Sequence, residues 1–462
     1  MKKTFRYLSM AALLVVATIM TGCSSDDDID NQQQTEINNN VVTLTATISF
    51  DSNAGTRAVT PSTGAKTFES TNQIAVIYKD GDSKTQKAVS TTFTPSADGT
   101  KATFTVTLNN PANNSAIRYI YPATMAKDVA TDATITSDDA TIDYTGLLNS
   151  QNGDLTTLGT NYDLAVYDGS LNGTDLPSSS TLTNPLAICG FTLTDGGSDI
   201  TNTVNSLTVS DGTNSYAVTP TSTLSTIYVA MKPTSGNIAF AASTTATKTY
   251  FKTATGKTLD ASKLYPISVS MVRLELGYVF CSDGSIYESK GAAEGASKTP
   301  VALICYLGND AETNTTYRHG LALAFTSVGF NDWCSQSSAN CLTTQYNNEA
   351  AAITDMAGIA NTDALVSHTG HSHYAANAAR NYAVVHPTGT SVWFLSSAGQ
   401  WNKMINAMGK LNLKAKAGII GSGLLWSSTE LNATGAWFYS FNHDWIQGNK
   451  QEHPDVRACL AF

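Results

Sequence analysis

Charged side chains are scarce in this 462-residue sequence, where Lys, Arg, Asp and Glu together make up 14% of the residues. The formal net charge is −10, and no run of lysines and arginines occurs. A nucleic-acid-binding protein needs a basic surface that displaces counterions from phosphates, so we predict no nucleic-acid partner. The low charge and the abundance of Thr, Ser, Asn and Ala are instead typical of a β-rich extracellular protein.

Closely paired cysteines are also absent, since none of the seven cysteines lies in a Cys-x-x-Cys pair. This argues against metal clusters and thioredoxin-like chemistry. In an exported chain Cys334 and Cys341 are the first candidates for a disulfide, because they are close in sequence. Cys305 and Cys459 lie in apolar stretches, where buried free thiols that act as small hydrophobic side chains explain them equally well.

Catalytic motifs are lacking too: the sequence contains no G-x-S-x-G, no H-E-x-x-H and no Walker loop. We therefore predict that the protein is not an enzyme and has no cofactor. His368, His371 and His373 form an H-x2-H-x-H cluster that in a loop or strand is able to bind zinc. In a helix, however, the last two would point about 200° apart. With no cysteine or acid beside them at ligand spacing, we predict no metal site and interpret them as surface or interface residues.

The N-terminus reads as an export signal. Lys2, Lys3 and Arg6 precede an apolar run from Met10 to Met20 that is too short to span a membrane. Met-Thr-Gly-Cys at 20–23 resembles a bacterial lipobox, which implies a signal peptide at 1–22, lipid on Cys23 and anchoring in the outer membrane. SSDDDID after the cysteine resembles the surface-export signal of Bacteroidetes lipoproteins. A plain secretory signal with a coincidental cysteine is the alternative.

Alternating strands dominate the next part of the chain. Residues 23–40 are polar and predict a disordered tether. In VTLTATISF, residues 42–50, apolar residues alternate strictly with Thr and Ser, which predicts a half-buried strand. Further strands separated by turn sequences predict a β-sandwich over 41–159 and a second one over 160–272.

A different composition begins near residue 273. All six tryptophans and all seven histidines lie beyond residue 272, which predicts a separate α+β domain over 273–462. It opens with a hairpin whose turn is Asp283-Gly284. One helix is predicted over about 373–382. A second follows a Ser396 or Ser397 cap, with Trp401, Met404, Ile405 and Met408 on one face and Gly409 at its end.

Residues 41–272 resemble the fimbrillin family, the two-sandwich pilins of Bacteroidetes. The likeness is carried by the lipobox, the first strand, GTRA at 55–58, FESTNQIAVIY, LTNPLAICGFTLT and KTLDASKLYPISVSM. It implies two tandem transthyretin-like sandwiches, proteolytic removal of the first strand after Arg57, and assembly with other pilin subunits by donor-strand exchange. An ordinary first strand with an ordinary exposed arginine is the alternative.

Residues 276–462 resemble a C-type-lectin-like domain, through GYVFCSDGSIY, VWFLSSAGQWNKMI, LLWSSTE, AWFYSF and VRACLAF. The calcium and sugar motifs usual in that fold are missing; FNDW at 330–333 and HPD at 453–455 are only partial echoes. The resemblance implies a binding surface on loops near the last strands. An unknown cell-surface protein or a glycan is therefore the expected ligand.

The candidate binding segment is NHDWIQGNKQEHPD at 442–455, with two positions of the preceding strand. We expect Trp437, Tyr439 and Phe441 to face the core and their alternates to face outward. The predicted ligand-binding residues are Phe438, Ser440, His443, Asp444, Trp445, Gln447, Asn449, Glu452, His453 and Asp455. An ordinary solvated loop with one packed tryptophan is the alternative. The placement of this segment resembles targets of diversity-generating retroelements.

The last strand decides the predicted role. VRACLAF at 456–462 is nearly all apolar and predicts a buried central strand, with nothing after it to donate to a neighbouring subunit. We therefore predict a fimbrium tip adhesin that reaches the cell surface as an outer-membrane lipoprotein precursor. A monomeric surface-anchored lipoprotein and a stalk pilin with an appended domain are the alternatives.

Overall fold

The computed structural model describes residues 41–51, 67–314, 316–335, 338–421 and 423–462. The predicted signal peptide and tether, Cys23 and Arg57 lie outside the described residues. Within these ranges the chain is mainly β, as predicted, with 27 strands, nine α-helices and two short 3-10 helices. None of the helices in the described residues has the length and apolar character to span a membrane.

The N-terminal part is built from two four-stranded sheets. Its strands are β1 (Val41–Phe50), β2 (Ala75–Lys79), β3 (Thr85–Val89), β4 (Thr92–Pro95), β5 (Lys101–Asn109), β6 (Ala116–Tyr121), β7 (Ala165–Ser170) and β8 (Ser179–Leu182). The sheet orders are β4-β5-β1-β8 and β3-β2-β6-β7. Buried residues of both sheets form one hydrophobic cluster, because alternate residues of each strand point to the same face. The pair is a β-sandwich.

Two strands that follow residue 160 pair with strands of the N-terminal sandwich. β7 pairs with β6, and β8 pairs in parallel with β1. Conversely, the segment before β7 carries α1 (Asp138–Thr141), α2 (Thr145–Asn149) and α3 (Leu155–Asn161). Leu147 and Leu158 of this segment pack in the second core, together with Phe191. Strand pairing and core packing therefore cross the predicted boundary at 159/160, because segments on each side of it contribute to the other core.

The middle part is one eight-stranded sheet. Its strands are β9 (Ala187–Asp195), β10 (Ser198–Asp199), β11 (Val204–Ser210), β12 (Ser215–Val218), β13 (Ile227–Met231), β14 (Thr234–Thr244), β15 (Thr249–Leu259) and β16 (Leu264–Arg273). The order is β10-β9-β16-β15-β14-β11-β12, with β13 also paired to β9. β15 and β16 pair only at Tyr250↔Arg273 and Phe251↔Val272. The two halves of the sheet both line the second core.

The C-terminal part mixes short strands with helices. Its strands are β17 (Val279–Cys281), β18 (Ile286–Tyr287), β19 (Pro300–Leu307), β20 (Gly320–Ala324), β21 (Gly329–Phe330), β22 (Phe394–Leu395), β23 (Leu424–Glu430), β24 (Gly435–Ser440), β25 (Asp444–Asn449), β26 (Asp455–Val456) and β27 (Ala458–Ala461). Its helices are α4 (Lys290–Gly295), α5 (Glu349–Ala352), α6 (Gly358–Ser367), α7 (Tyr374–Arg380), α8 (Ala398–Met408) and α9 (Lys410–Lys416). The two sheets are β18-β17-β19-β20-β27-β22 and β21-β26-β23-β24-β25.

The local sequence signals of this part are confirmed. Helix α8 has a capping box, in which Ser397 Oγ accepts from Gln400 N and Ser397 N donates to Gln400 Oε1 over 3.0 Å. Gly409 follows with φ 78°, a conformation that glycine adopts without strain. The predicted Asp283-Gly284 turn joins β17 to β18. α7 falls inside the predicted 373–382 helix.

The C-terminal core continues into the middle sheet. Phe251 of β15 packs edge-on against Phe280, with ring centroids 4.9 Å apart, and Phe280 packs against Phe462 at 5.0 Å. Ala239 and Ala241 of β14 belong to the same buried cluster. The predicted boundary near residue 273 is thus crossed by a hydrophobic core.

Candidate functional site

Two of the ten predicted ligand-binding residues are buried. Phe438 is 3% exposed and Ser440 is fully buried, so the expectation that they face outward is wrong. The ring of Phe438 packs edge-on against Trp426, with centroids 5.4 Å apart. Ser440 Oγ accepts from the backbone N–H of Asn442 and of His443, which holds the turn after β24. The alternation of residues along β24 does not predict exposure, because both faces of this strand are covered and all its residues are buried.

The first group of exposed predicted residues lies at the start of β25, in the hairpin that joins it to β24. His443 and Asp444 are exposed, but Asp444 Oδ1 accepts from Lys410 Nζ at 2.5 Å and from the Tyr439 hydroxyl at 3.0 Å. The hydrogen bond from Lys410 lowers the pKa of Asp444. Trp445 is half-buried, and its ring lies edge-on to Tyr439 at 5.2 Å. Asp444 therefore joins the hairpin to α9, whereas Trp445 packs against the neighbouring strand β24.

The other end of β25 leads into an exposed loop. Gln447, Asn449, Glu452 and His453 are exposed, and Asp455 is half-buried. Inside the loop, Glu452 Oε1 accepts from Asn449 N at 3.2 Å. Asp444 and Asn449 are five residues apart on one strand, about 17 Å. The predicted residues therefore form two separate exposed groups rather than one patch.

An exposed aromatic side chain that sequence reasoning missed lies beside this loop. Phe330 of β21 is 74% exposed and is paired with Asp455. Next to it, His453 Nδ1 lies 2.7 Å from Asp332 Oδ1. We define the loop-end surface by its six members: Phe330, Asp332, Asn449, Gln451, Glu452 and His453. In the sequence, Phe330 stands out only as the first residue of FNDW, which was interpreted as a partial echo of a calcium motif. An exposed aromatic ring with amides, carboxylates and an imidazole on nearby segments is suited to binding a protein or a glycan.

A buried ion pair fixes the base of the loop. Lys450 and Glu430 form a hydrogen-bonded salt bridge in which both side chains are fully buried. Lys450 Nζ also donates to Ala339 O at 2.6 Å. Glu430 accepts from Cys341 N and Leu342 N, both at 2.8 Å. Lys450, which looked like one more polar residue of the exposed segment, is an internal anchor for residues 339–342.

Tryptophans fix the remaining loops to the core. Five of the six are at most 2% exposed. Each donates its indole N–H to a backbone carbonyl: Trp333 to Ser427, Trp393 to Val384, Trp401 to Trp426, Trp426 to Asn331 and Trp437 to Tyr346. A buried indole needs such a partner for its N–H. The abundance of tryptophan beyond residue 272 is therefore structural for these five.

The histidines of the H-x2-H-x-H cluster do not lie within a helix. Helix α7 begins at Tyr374, so His371 and His373 both precede it. The rings of His368 and His371 are 5.4 Å apart, and those of His368 and His373 are 5.0 Å apart. Cys334 and Cys341 lie next to His373. Spacing along the sequence did not reveal this group, because the two cysteines and His373 are brought together only by the fold.

Cys334 and Cys341, the first candidates for a disulfide, are close to each other but not bonded. The two sulfur atoms are 3.7 Å apart, whereas the sulfur atoms of a disulfide are about 2.05 Å apart. Cys305 and Cys459 are also free and fully buried, in accordance with a role as small hydrophobic side chains. Burial raises the pKa of Cys459 to about 12, which keeps it a neutral thiol.

Neither a family model nor a curated protein matches this sequence. Among solved structures, it is similar to a fimbrial assembly protein from Parabacteroides distasonis, with 10% identity, 49% of this chain and 90% of that chain covered, and a TM-score of 0.29. It is also similar to the tip fimbrial protein Mfa3 from Porphyromonas gingivalis, truncated at its C-terminus, with 9% identity, 51% of this chain and 98% of that chain covered, and a TM-score of 0.24. A third similar structure is GBS52, the minor pilin in Streptococcus agalactiae, with 9% identity, 50% of this chain and 97% of that chain covered, and a TM-score of 0.21. Such low TM-scores carry no argument, so the function is inferred from the residues of this chain.

Proposed function

We propose that this protein is an adhesion subunit at the tip of a fimbrium. In this proposal the N-terminal sandwich accepts a strand from another pilin subunit, and the C-terminal lectin-like domain binds a cell-surface protein or glycan. The observation that carries the proposal is the position of β1. It lies inside its sheet, between β5 and β8, although it is the first strand of the described chain.

The contacts of β1 define the groove that its removal would open. β1 pairs with β5 from Val41↔Asn109 to Ser49↔Lys101 and with β8 from Thr47↔Ser179 to Phe50↔Leu182. Ile48 is fully buried in the sandwich core. Without β1, two neighbouring strands would expose unpaired N–H and C=O groups beside apolar side chains, which is a template for a strand from another chain.

The outer face of β1 shows what a replacement strand needs. Three threonine pairs join β1 to β5 through their hydroxyls, Thr43–Thr107 at 3.2 Å, Thr45–Thr105 at 3.1 Å and Thr47–Thr103 at 3.4 Å. Such cross-strand pairs fix the register of a sheet. A donor strand that alternates apolar residues with threonine would reproduce both faces. We propose that cleavage after Arg57 releases β1 for this exchange.

Arg57→Ala tests the processing step. The variant is expected to keep residues 23–57 in the mature protein and to be lost from assembled fimbriae, because β1 would stay in its own groove. Mass spectrometry of the surface-exposed protein and immunoblots of sheared fimbriae measure both effects. Arg273→Ala, at an arginine whose side chain is 47% exposed, is the matched control and is expected to behave as wild type. Normal mature mass and normal assembly of Arg57→Ala would contradict strand exchange at this groove.

The packing of β27 favours the tip over the stalk. β27 lies between β20 and β22, and all its residues are buried. A stalk subunit needs a strand that leaves its own domain and enters the next subunit. Pulling β27 out would break two strand pairings and expose the C-terminal core. Immunogold labelling at fimbrial ends, rather than along the shafts, is the expected result.

The proposed ligand-binding site is the loop-end surface. Its loop is held from below by the buried pair Lys450–Glu430, while its outward side chains are exposed. A rigid base under variable side chains also suits diversification by a retroelement, which we propose for this segment. A near-copy of the coding segment with adenines at the differing positions, next to a reverse transcriptase gene, is the expected genomic signature.

Phe330→Ala tests the ligand-binding surface. The exposed ring is expected to be an anchor whose loss weakens binding about tenfold or more. The full mature chain is probed on glycan and surface-protein arrays, and the affinity for the best ligand is then compared between variants. Leu411→Ala removes an equally exposed apolar side chain on α9 and is expected to leave the affinity unchanged. Equal affinity of Phe330→Ala and wild type would move the binding site away from this surface.

A monomeric surface lipoprotein is the second candidate. The observation that favours it is that β1 completes its own sandwich, so no partner strand is required for folding. Lipid on Cys23 would then keep the protein at the outer membrane throughout. Detection of the full-length lipidated protein as the only surface form would favour this function over the fimbrial one.

A further inference from the structure

His373 is a buried imidazole with unmet hydrogen-bonding capacity. Its side chain is fully buried, and neither Nδ1 nor Nε2 has a hydrogen-bond partner. Burying a polar group without a partner costs free energy, and native proteins nearly always satisfy such groups. A buried histidine with two unsatisfied nitrogens therefore points to a ligand that takes a lone pair.

Two thiols converge on the same point. One ligand atom from each of Cys334, Cys341 and His373 lies within 4.8 Å of the others, and all three residues are buried. The two sulfurs are 3.7 Å apart. Two sulfurs that each lie about 2.3 Å from a zinc ion, at the tetrahedral angle, are about 3.8 Å from each other. The observed spacing is that of two thiolates on one tetrahedral metal ion.

We propose that Cys334, Cys341 and His373 bind one zinc ion. Two thiolates and one imidazole are the ligand set that soft, tetrahedral metal ions prefer. The two thiol protons are released on binding, so that the dication and two thiolates form a neutral centre. Among the described residues, His368 has the next imidazole, with its ring 5.0 Å from that of His373.

A charged side chain and a backbone hydrogen bond position Cys341 as a ligand. Lys450 Nζ lies 3.7 Å from Cys341 Sγ, where its positive charge stabilises a thiolate. The same ammonium is paired with Glu430, so it adds no net charge to the buried centre. The Cys341 backbone is fixed by its hydrogen bond to Glu430 Oε1 at 2.8 Å. These contacts orient one of the ligands before the metal binds.

Backbone contacts also hold the ligand loops together. Ser335 N donates to Ser372 O at 2.8 Å, which joins the residue after Cys334 to the residue before His373. Ser372 N donates back to Ser335 Oγ at 3.0 Å. Cys334 N donates to Lys450 O at 3.2 Å. Zinc would therefore brace three loops beneath the exposed loop 449–453, whether or not that loop binds the proposed ligand.

Metal analysis of the purified mature chain tests the site. Wild type, expressed in zinc-supplemented medium, is expected to hold about one zinc ion per chain by plasma mass spectrometry. Cys341→Ala and His373→Ala are each expected to hold less than about a tenth of that amount, because two ligands bind weakly. Cys189→Ala, at a fully buried cysteine in the second core, is the matched control and is expected to keep the full zinc content.

Wild type also tests the site without any substitution. Removing zinc with a chelator is expected to lower the melting temperature, and adding zinc ions alone is expected to restore it. Cobalt ions in place of zinc are expected to give a thiolate-to-metal charge-transfer band. Metal-free wild type that does not take up zinc or cobalt would overturn the proposal. A Cys334–Cys341 disulfide would also overturn it, because the disulfide would occupy both sulfurs. Mass spectrometry would show it as an intact mass lower by two hydrogens and as disulfide-linked peptides that contain the two cysteines.

Discussion

Lys450→Met is expected to destabilise the protein by about 3–5 kcal/mol, because it leaves the buried Glu430 carboxylate without its ammonium partner. Both side chains are fully buried in the pair. Breaking such a pair on one side costs more than the pair itself contributes, since the remaining charge stays out of water. Urea unfolding of wild type and variant, followed by tryptophan fluorescence, measures the difference in the free energy of unfolding.

The matched control is Lys410→Met, at the ion pair with Asp444. Here the side chains are 30% and 66% exposed, and exposed pairs contribute at most about 1 kcal/mol. In the double variant Lys450→Met/Glu430→Gln, the charge left behind by the single change is removed. Its loss is expected to be smaller than that of Lys450→Met alone. Equal losses in Lys450→Met and Lys410→Met would show that the Lys450 pair is open to water.

The second large effect is an acid sensitivity that His319 gives to the fold. His319 is fully buried; its Nδ1 lies 2.7 Å from Ser243 Oγ and its Nε2 lies 3.2 Å from Thr208 Oγ1. Burial, with a smaller effect of Arg318, lowers the pKa of His319 from 6.5 to about 3. Between these values the unfolded chain takes up a proton that the folded chain does not. Stability is therefore complete above pH 6.5 and falls as the pH drops towards 3.

The expected size follows from the two pKa values. This residue alone is expected to cost about 2 kcal/mol of stability at pH 5, relative to pH 7.5. In His319→Gln, whose amide is able to hydrogen-bond to both hydroxyls, the difference between the two pH values is expected to shrink by that amount. His443→Gln, at an exposed histidine, is the matched control and is expected to keep the wild-type pH dependence. If His319→Gln keeps it too, the buried imidazole is not the acid-sensitive group.

Local features of the fold were predictable because local chemistry decides them. The apolar side chains of β1 alternate as predicted, with Ala46 and Ile48 fully or almost fully buried. Helix α8 starts after Ser397 and ends at Gly409, since a capping side chain and a left-handed glycine act on adjacent backbone groups. Within VRACLAF, Ala458–Ala461 form a buried strand with neighbours on both sides, whereas Val456 belongs to β26 in the other sheet.

The candidate site was predicted less well because it depends on long-range packing. Phe438 and Ser440 were placed outside by a period-two argument that holds only when one face of a sheet is solvated. Nothing in the sequence indicated that Lys450, inside the candidate segment, is buried, because its partner Glu430 lies 20 residues earlier. Phe330 gave almost no signal, because exposure of an aromatic side chain is not encoded in its neighbours.

The sequence by itself determined the strand pattern, the caps and the turns, since these follow from side chains within a few residues of each other. Only the tertiary structure decided which segments share a core. It exchanged segments across residue 160 and joined Phe251 to Phe280. It also brought Cys334, Cys341 and His373 to one point. Contacts between distant residues depend on how whole sheets and loops pack, and a period or a spacing carries no record of that packing.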